Sequence, residues 1–235
     1  MTMSTAEGIT PEMPPGEDEL PCSDGVPMET ERHRRQMLVL IESLELAWRD
    51  RDDFYVGGDM FVYFSAEQVR HNSFRGPDVF VVLDTVRRER KSWVVWAEGR
   101  SPDVVIELVS ESTERVDRGE KMTVYARQLR VPVYVIFDPL SGALDAYLLD
   151  HKKRRYNPLP RDAEGRVEVA ALDLLLGLHP TRVGTVDAPM LRWIDREGHV
   201  LPLEGERADE ERLRADALAA KLAEYERRFG ALTAD

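Results

Sequence analysis

Two carboxylate residues of this sequence stand inside apolar runs that are typical of buried β-strands. Asp78 opens one such run directly after a Gly-Pro pair, and Glu107 lies in the middle of the run 103–109. A charged group is costly in such surroundings unless it is paired or bound to a metal. Two carboxylates from neighbouring strands, the backbone carbonyl of Leu108 and water molecules would meet the near-octahedral oxygen coordination that Mg²⁺ prefers. The pattern predicts a divalent metal site.

A third group is needed to stabilise developing charge or to position a water molecule, and Lys121 is the candidate. Its i+4 neighbour Tyr125 belongs to the core stripe of a predicted helix, so the lysine lies beside the buried face and can extend inward. Asp103 also follows a proline. It is about 13 Å from Glu107 along one strand, however, and the two could not share an ion.

Helices and short apolar strands alternate along the chain and must position these residues. The 3.6-residue periodicity predicts helices over about 29–50, 114–129 and 205–229. The β-like runs are 54–56, 60–64, 78–83, 93–97, 103–109, 131–137 and 143–149, with short strands near 167–170 and 190–195. Runs that are apolar throughout indicate strands covered on both faces, which favours an α/β protein.

Charge and composition divide the chain into three parts. Residues 1–28 are acidic and rich in proline and glycine, and we predict a disordered arm. The folded domain is expected over 29–202 and a helix over 203–235. The net charge of −12 comes mostly from the two ends, so it neither supports nor excludes a phosphate substrate bound by the middle part.

The sequence contains neither a visible signal peptide nor an apolar run long enough to span a membrane. Cys22 is the only cysteine among 235 residues, which fits a reducing compartment, and we expect a cytoplasmic protein.

The last helix carries an apolar stripe with a 3-4-3-4-3 spacing. Its members are Ala215, Leu218, Leu222, Tyr225, Phe229 and Leu232. The stripe predicts either a short coiled coil or a face that packs on the chain's own domain. Because this helix could pair with that of a second copy, a homodimer or another homo-oligomer is expected.

Several motifs together resemble the Uma-type restriction endonucleases, a bacterial branch of the PD-(D/E)XK nuclease superfamily. They are Gly76-Pro-Asp-Val-Phe-Val-Val-Leu83, Pro102-Asp-Val-Val-Ile-Glu-Leu-Val-Ser110, Ser112-Thr113 with Asp117-Arg-Gly-Glu-Lys121, and Tyr125-Ala126 through Pro132-Val-Tyr-Val-Ile-Phe-Asp-Pro139. The resemblance covers roughly residues 27–200. It implies a restriction-endonuclease-like core, which is a mixed central β-sheet flanked by helices, with a C-terminal helical tail.

The resemblance also implies roles for individual residues. Asp78 and Glu107 would match the family's two metal-binding acids, and Lys121 its lysine. In the wider superfamily the lysine lies two residues after the second acid, where this chain has Val109. Glu31, or Glu29 beside it, would match an additional acid on the first helix.

The implied activity is hydrolysis of DNA phosphodiester bonds assisted by Mg²⁺ or Mn²⁺. Two alternatives remain open at this point. One is a nuclease-fold protein without activity that acts as a binding or oligomeric scaffold module. The other is a structural protein in which Glu107 and Lys121 form a buried salt bridge.

Overall fold

A mixed six-stranded β-sheet forms the centre of the computed structural model, which describes residues 14–21, 30–65, 76–110 and 113–230. Its strands are β1 (Phe54–Gly57), β3 (Val79–Leu83), β5 (Val104–Leu108), β6 (Val133–Phe137), β7 (Leu144–Asp150) and β8 (Arg155–Pro158). The strand order is β1-β3-β5-β6-β7-β8. Only β5 and β6 are parallel neighbours in this sheet, and the other neighbours are antiparallel. The mixed sheet confirms the predicted fold class.

The three central strands are apolar except for Glu107, because both of their faces are covered. All five residues of β5 and all five of β6 are buried. Helix α1 (Glu31–Ala47) covers one face, where Leu40 and Leu44 belong to the same core as Val79 and Ile106. The helical segment 114–129, called α3 below, follows β5 and covers the other face. Side chains alternate along a strand, so Glu107 points to the α3 face.

A second sheet of three antiparallel strands packs on the α1 side. It consists of β9 (Val167–Val169), β10 (Leu174–Val183) and β11 (Val186–Ile194). Gln36 of α1 is fully buried, and its amide donates to the Leu191 carbonyl and accepts from the Leu191 N–H, both at 2.9 Å. One side chain thus imitates a strand neighbour and fixes the helix to the hairpin.

Two short strands, β2 (Val62–Tyr63) and β4 (Trp93–Val94), pair in parallel beside the main sheet. The predicted strand at 93–97 ends early, because the short helix α2 (Val95–Glu98) takes over its second half. Residues 14–21 lie against this region. Leu20 is buried there, and the Pro21 carbonyl accepts a hydrogen bond from the Tyr63 hydroxyl at 2.6 Å. Composition predicted a disordered arm over 1–28. Average composition cannot reveal that one residue of this segment, Leu20, is buried against the domain.

Helix α4 (Glu204–Phe229) is the last described element. Arg192 in β11 is fully buried, and its guanidinium binds Glu206 through two hydrogen bonds of 2.9 and 2.7 Å. This pair anchors the first turn of the helix, whereas the remaining turns are exposed. No helix within the described ranges combines the length and apolarity that crossing a membrane requires.

Candidate active site

The antiparallel pairing of β3 with β5 brings Asp78 and Glu107 together. Val79 lies opposite Ile106, so the residue before β3 lies beside the end of β5. The Leu108 N–H donates to Oδ2 of Asp78 at 2.7 Å, and the Asp78 N–H lies 3.4 Å from Oε2 of Glu107. The two carboxylates therefore share one corner of the sheet with the backbone of Leu108.

Glu107 is fully buried and receives hydrogen bonds from two residues of α3. The Lys121 ammonium donates to Oε2 at 3.0 Å, and the Tyr125 hydroxyl donates to Oε1 at 2.7 Å. Lys121 and Tyr125 are one helical turn apart and point to the same strand. The structure thus brings together Asp78, Glu107 and Lys121, the three residues that the sequence analysis proposed for the site. Their roles in catalysis stay predictions.

Asp117 is a further acid of this cluster, and the sequence reasoning did not single it out. Its side chain is buried, and Oδ1 lies 2.7 Å from Nζ of Lys121. The backbone from Asp117 to Lys121 is π-helical, a winding that is rare and often found at functional sites. The i, i+4 spacing of the two residues was the available signal.

Two buried carboxylates, those of Glu107 and Asp117, contact the Lys121 ammonium, and the half-buried Asp78 lies beside Glu107. Burial raises the pKa of Glu107 to about 8; the Lys121 charge opposes the shift, and the charge of Asp78 adds to it. Burial likewise raises the pKa of Asp78, against the Leu108 hydrogen bond. Desolvation is the largest cause of both upward pKa shifts, and the Lys121 charge offsets it only in part.

Lys121 remains an ammonium group within this environment. Burial alone would lower its pKa, but the charges of Glu107 and Asp117 outweigh burial, and the net shift is upward. Burial raises the pKa of Tyr125 well above its ordinary value, with the Glu107 charge adding to the effect. Lys121 therefore acts as a charged donor and Tyr125 as a neutral one.

Glycine at position 58 permits the loop after β1 to touch the backbone of Asp78. A Cβ atom at Gly58 would lie 2.5 Å from the Asp78 carbonyl oxygen and 2.8 Å from Cδ1 of Ile41. The next residue, Asp59, donates its N–H to the same carbonyl at 3.2 Å. The loop after β1 and helix α1 thus pack closely together and fix the backbone of Asp78.

The structure does not bring Glu31 to this cluster. Its carboxylate lies 2.7 Å from Arg35, and Arg35 donates to the Val183 carbonyl at 2.7 Å. The first turn of α1 therefore faces the β10–β11 hairpin, and Glu31 fits a helix-stabilising ion pair better than the additional acid of the site. Glu29 lies outside the described residues.

The donor set fits a hard divalent cation. Carboxylate oxygens are the preferred ligands of Mg²⁺. Oδ2 of Asp78 and Oε1 of Glu107 each accept one hydrogen bond and retain a second lone pair, whereas Oε2 of Glu107 accepts two. Among the residues that the structure describes, no group of three His, Cys, Asp or Glu side chains is arranged to hold a metal ion. A bound ion would therefore rely on Asp78, Glu107, the Leu108 carbonyl and water, the set expected from the sequence.

Comparison with known proteins gives one family match and a similar solved structure. A crystal structure described as "a putative nuclease belonging to DUF820 from Anabaena variabilis ATCC 29413" is similar, with a TM-score of 0.46 and 14% identity over 67% of this chain and 90% of that chain. No curated protein matches the chain. The profile of one family, described as "Uma2: Putative restriction endonuclease", matches residues 19–181. Since this match spans more than half of the sequence, the chain belongs to the Uma2 family.

Proposed function

We propose that this protein is a metal-dependent endonuclease that hydrolyses phosphodiester bonds of DNA, with Mg²⁺ or Mn²⁺ as its cofactor. The observation that carries the proposal is the charge of the buried cluster. The carboxylates of Glu107 and Asp117 contact a single lysine, Lys121, and the Asp78 carboxylate lies at the same corner of the sheet. Such an excess of buried negative charge is costly unless a cation compensates it.

Asp78, Glu107 and the Leu108 carbonyl would hold the cation. When bound, a divalent ion at such a site neutralises phosphate charge and makes a water molecule more acidic. The Leu108 N–H fixes the orientation of the Asp78 carboxylate, and the Tyr125 hydroxyl fixes that of Glu107. These bonds hold the two acids in place before substrate arrives.

Lys121 would donate a hydrogen bond to the negative charge that develops on the phosphate, or hold the attacking water. Its ammonium already lies between Glu107 and Asp117, at 3.0 and 2.7 Å. Asp117 is a positioning residue in this scheme, because it touches the lysine and holds it at the strand ends. A preorganised donor of this kind typically contributes about 10²- to 10³-fold to the rate.

The test uses supercoiled plasmid, single-stranded DNA and RNA, each with Mg²⁺, with Mn²⁺ and with EDTA. We expect metal-dependent cleavage of DNA by the wild type, and its loss in Glu107→Ala and Lys121→Ala. Glu224→Ala, which removes an exposed carboxylate on α4, serves as the matched control and should cleave like the wild type. Equal background from the wild type and Glu107→Ala would refute the nuclease proposal, and cleavage of RNA alone would refute the DNA assignment.

One observation favours the alternative, a binding or oligomeric scaffold module without activity. Both oxygens of Glu107 already accept hydrogen bonds, so the described site is complete as an ion-pair network. This alternative predicts no binding of Mg²⁺ or Mn²⁺ by calorimetry, whereas the endonuclease proposal requires it.

The proposed partners are DNA and a second copy of the chain. A homodimer would present two sites to the two strands of a duplex. We place this activity in the cytoplasm, in keeping with the single cysteine of the sequence.

A further inference from the structure

Helix α4 carries an exposed row of large apolar side chains. Leu218, Leu222, Tyr225 and Phe229 have exposed fractions of 69%, 49%, 53% and 65%. They follow one another at spacings of four, three and four residues, so they lie along one side of the helix. Exposed apolar rows of this kind mark interaction surfaces.

The spacing assigns heptad positions to this surface. Ala215, Leu222 and Phe229 fall at positions a, and Leu218 and Tyr225 at positions d, of a two-stranded coiled coil. The row is self-complementary, because an identical row on another copy can interdigitate with it about a two-fold axis. The occupant that fits it is a second copy of this chain.

The charges beside the row decide how two such helices pair. Arg214, Lys221 and Arg228 lie directly before positions a, at positions g, and all three are basic. An antiparallel pair would bring the two g rows together, basic against basic. A parallel pair instead brings each g residue to the e residue five positions later on the other helix, and Lys221 then meets a glutamate, Glu226 of the partner subunit.

We propose that α4 forms a parallel coiled coil with a second copy of the chain, with Lys221 of each protomer paired to Glu226 of the partner subunit. Parallel pairing places both folded domains at the same end of the coil. Two sites could then act on the two strands of one duplex. That consequence rests on the proposed function, whereas the pairing itself does not.

The first test measures dimerisation of the full chain by sedimentation equilibrium. Lys221→Glu and Glu226→Lys each turn two attractive contacts into repulsive ones, and each should weaken the dimer about tenfold. The double variant Lys221→Glu/Glu226→Lys should restore wild-type dimerisation. Arg227→Glu and Glu224→Lys are the matched controls, since they change charge equally at positions f and c, and they should leave dimerisation unchanged.

Two outcomes of this test would overturn the proposal. One is a wild-type chain that stays monomeric at about 100 μM, well above the micromolar range of ordinary specific association. The other is a pair of single variants that behave like their controls. Neither outcome depends on nuclease activity, so failure here leaves the endonuclease proposal standing, and loss of that proposal leaves the coil standing.

A second test determines the orientation. In a Cys22→Ser background, Leu218→Cys and Leu222→Cys are oxidised separately and as a mixture. A parallel coil packs a against a and d against d, so each variant should form disulfide-linked dimers with itself. An antiparallel coil packs a against d, so cross-linking that occurs only in the mixture, between position 218 of one copy and position 222 of the other, would refute the proposal.

Discussion

Two ion-pair clusters of this molecule differ in how many cations each acid contacts. In the first, Glu98 of α2 faces two arginines: Arg90 binds it through two hydrogen bonds of 2.8 and 3.0 Å, and Arg88 through one of 2.7 Å. In the second, Lys121 alone faces the carboxylates of Glu107 and Asp117. In the first cluster two cations bind Glu98, and Arg88 also binds Glu17 at 2.9 Å, whereas in the second cluster two carboxylates share one cation.

The pKa values respond in opposite directions. Burial alone would raise the pKa of Glu98, but the hydrogen bonds and charge of Arg90 outweigh burial, and the pKa is lowered. The pKa of Glu107 is raised, because burial and neighbouring acids outweigh Lys121. The lowered pKa of Glu98 indicates a salt bridge that stabilises a loop. The raised pKa of Glu107 indicates a carboxylate whose ionisation is unfavourable in the folded protein. Groups of the second kind are typical of functional sites.

The largest effect on stability is expected from Glu98→Gln. Arg90 is almost fully buried, and the substitution removes its only carboxylate partner in the described structure. Breaking a buried pair from one side should lower the free energy of unfolding by about 3 kcal/mol. Urea unfolding measures this change, with the exposed Glu224→Gln as the control. A loss no greater than that of the control would show that the loop does not depend on this pair.

The corresponding substitution in the other cluster, Glu107→Gln, should act in the opposite direction and be smaller. It removes an undercompensated buried charge, while Asp117 still holds Lys121. In EDTA at about pH 8 we expect the free energy of unfolding to rise by about 1 kcal/mol. The same urea experiment checks it. Destabilisation as large as that of Glu98→Gln would mean that Glu107 and Lys121 form an ordinary structural salt bridge.

The pH dependence of stability should also distinguish the clusters. Between the ordinary pKa of a glutamate and about 8, folded metal-free protein retains the Glu107 proton that the unfolded chain has released. Its stability therefore falls as pH rises through this window. The Glu98 pair behaves in reverse: its contribution is present above the ordinary pKa and is lost as pH falls through the lowered one. Urea unfolding in EDTA from about pH 3.5 to about pH 9 should give a wild-type slope that Glu107→Gln reduces.

Sequence patterns were sufficient to predict that the candidate residues Asp78, Glu107 and Lys121 lie together. Apolar runs around Asp78 and Glu107 predicted two buried strands, and their pairing produces the corner at which both carboxylates lie. The helical stripe through Tyr125 predicted that Lys121 points inward, as the 3.0 Å contact with Glu107 shows. These features depend on local periodicity, which a single sequence contains.

Features that depend on distant contacts could not be predicted in the same way. The strand β10 (Leu174–Val183) was missed because four of its ten residues are exposed and its sequence includes a glycine and a proline. Glu31 was a reasonable candidate on the first helix. The first turn of α1, however, faces the β10–β11 hairpin, and that orientation depends on tertiary packing. The packing of residues 14–21 likewise depends on contacts of Leu20 with residues distant in sequence, Phe61, Tyr63 and Val94.

Binding of Mn²⁺ to the metal-free full-length protein, measured by isothermal titration calorimetry, tests the central claim most directly. We predict saturable binding by the wild type and by the exposed control Glu224→Gln, and affinity at least about tenfold weaker in Glu107→Gln and in Asp78→Asn. A wild type that binds no Mn²⁺, or a Glu107→Gln variant that binds it equally well, would contradict the claim that this cluster's excess negative charge holds a cation.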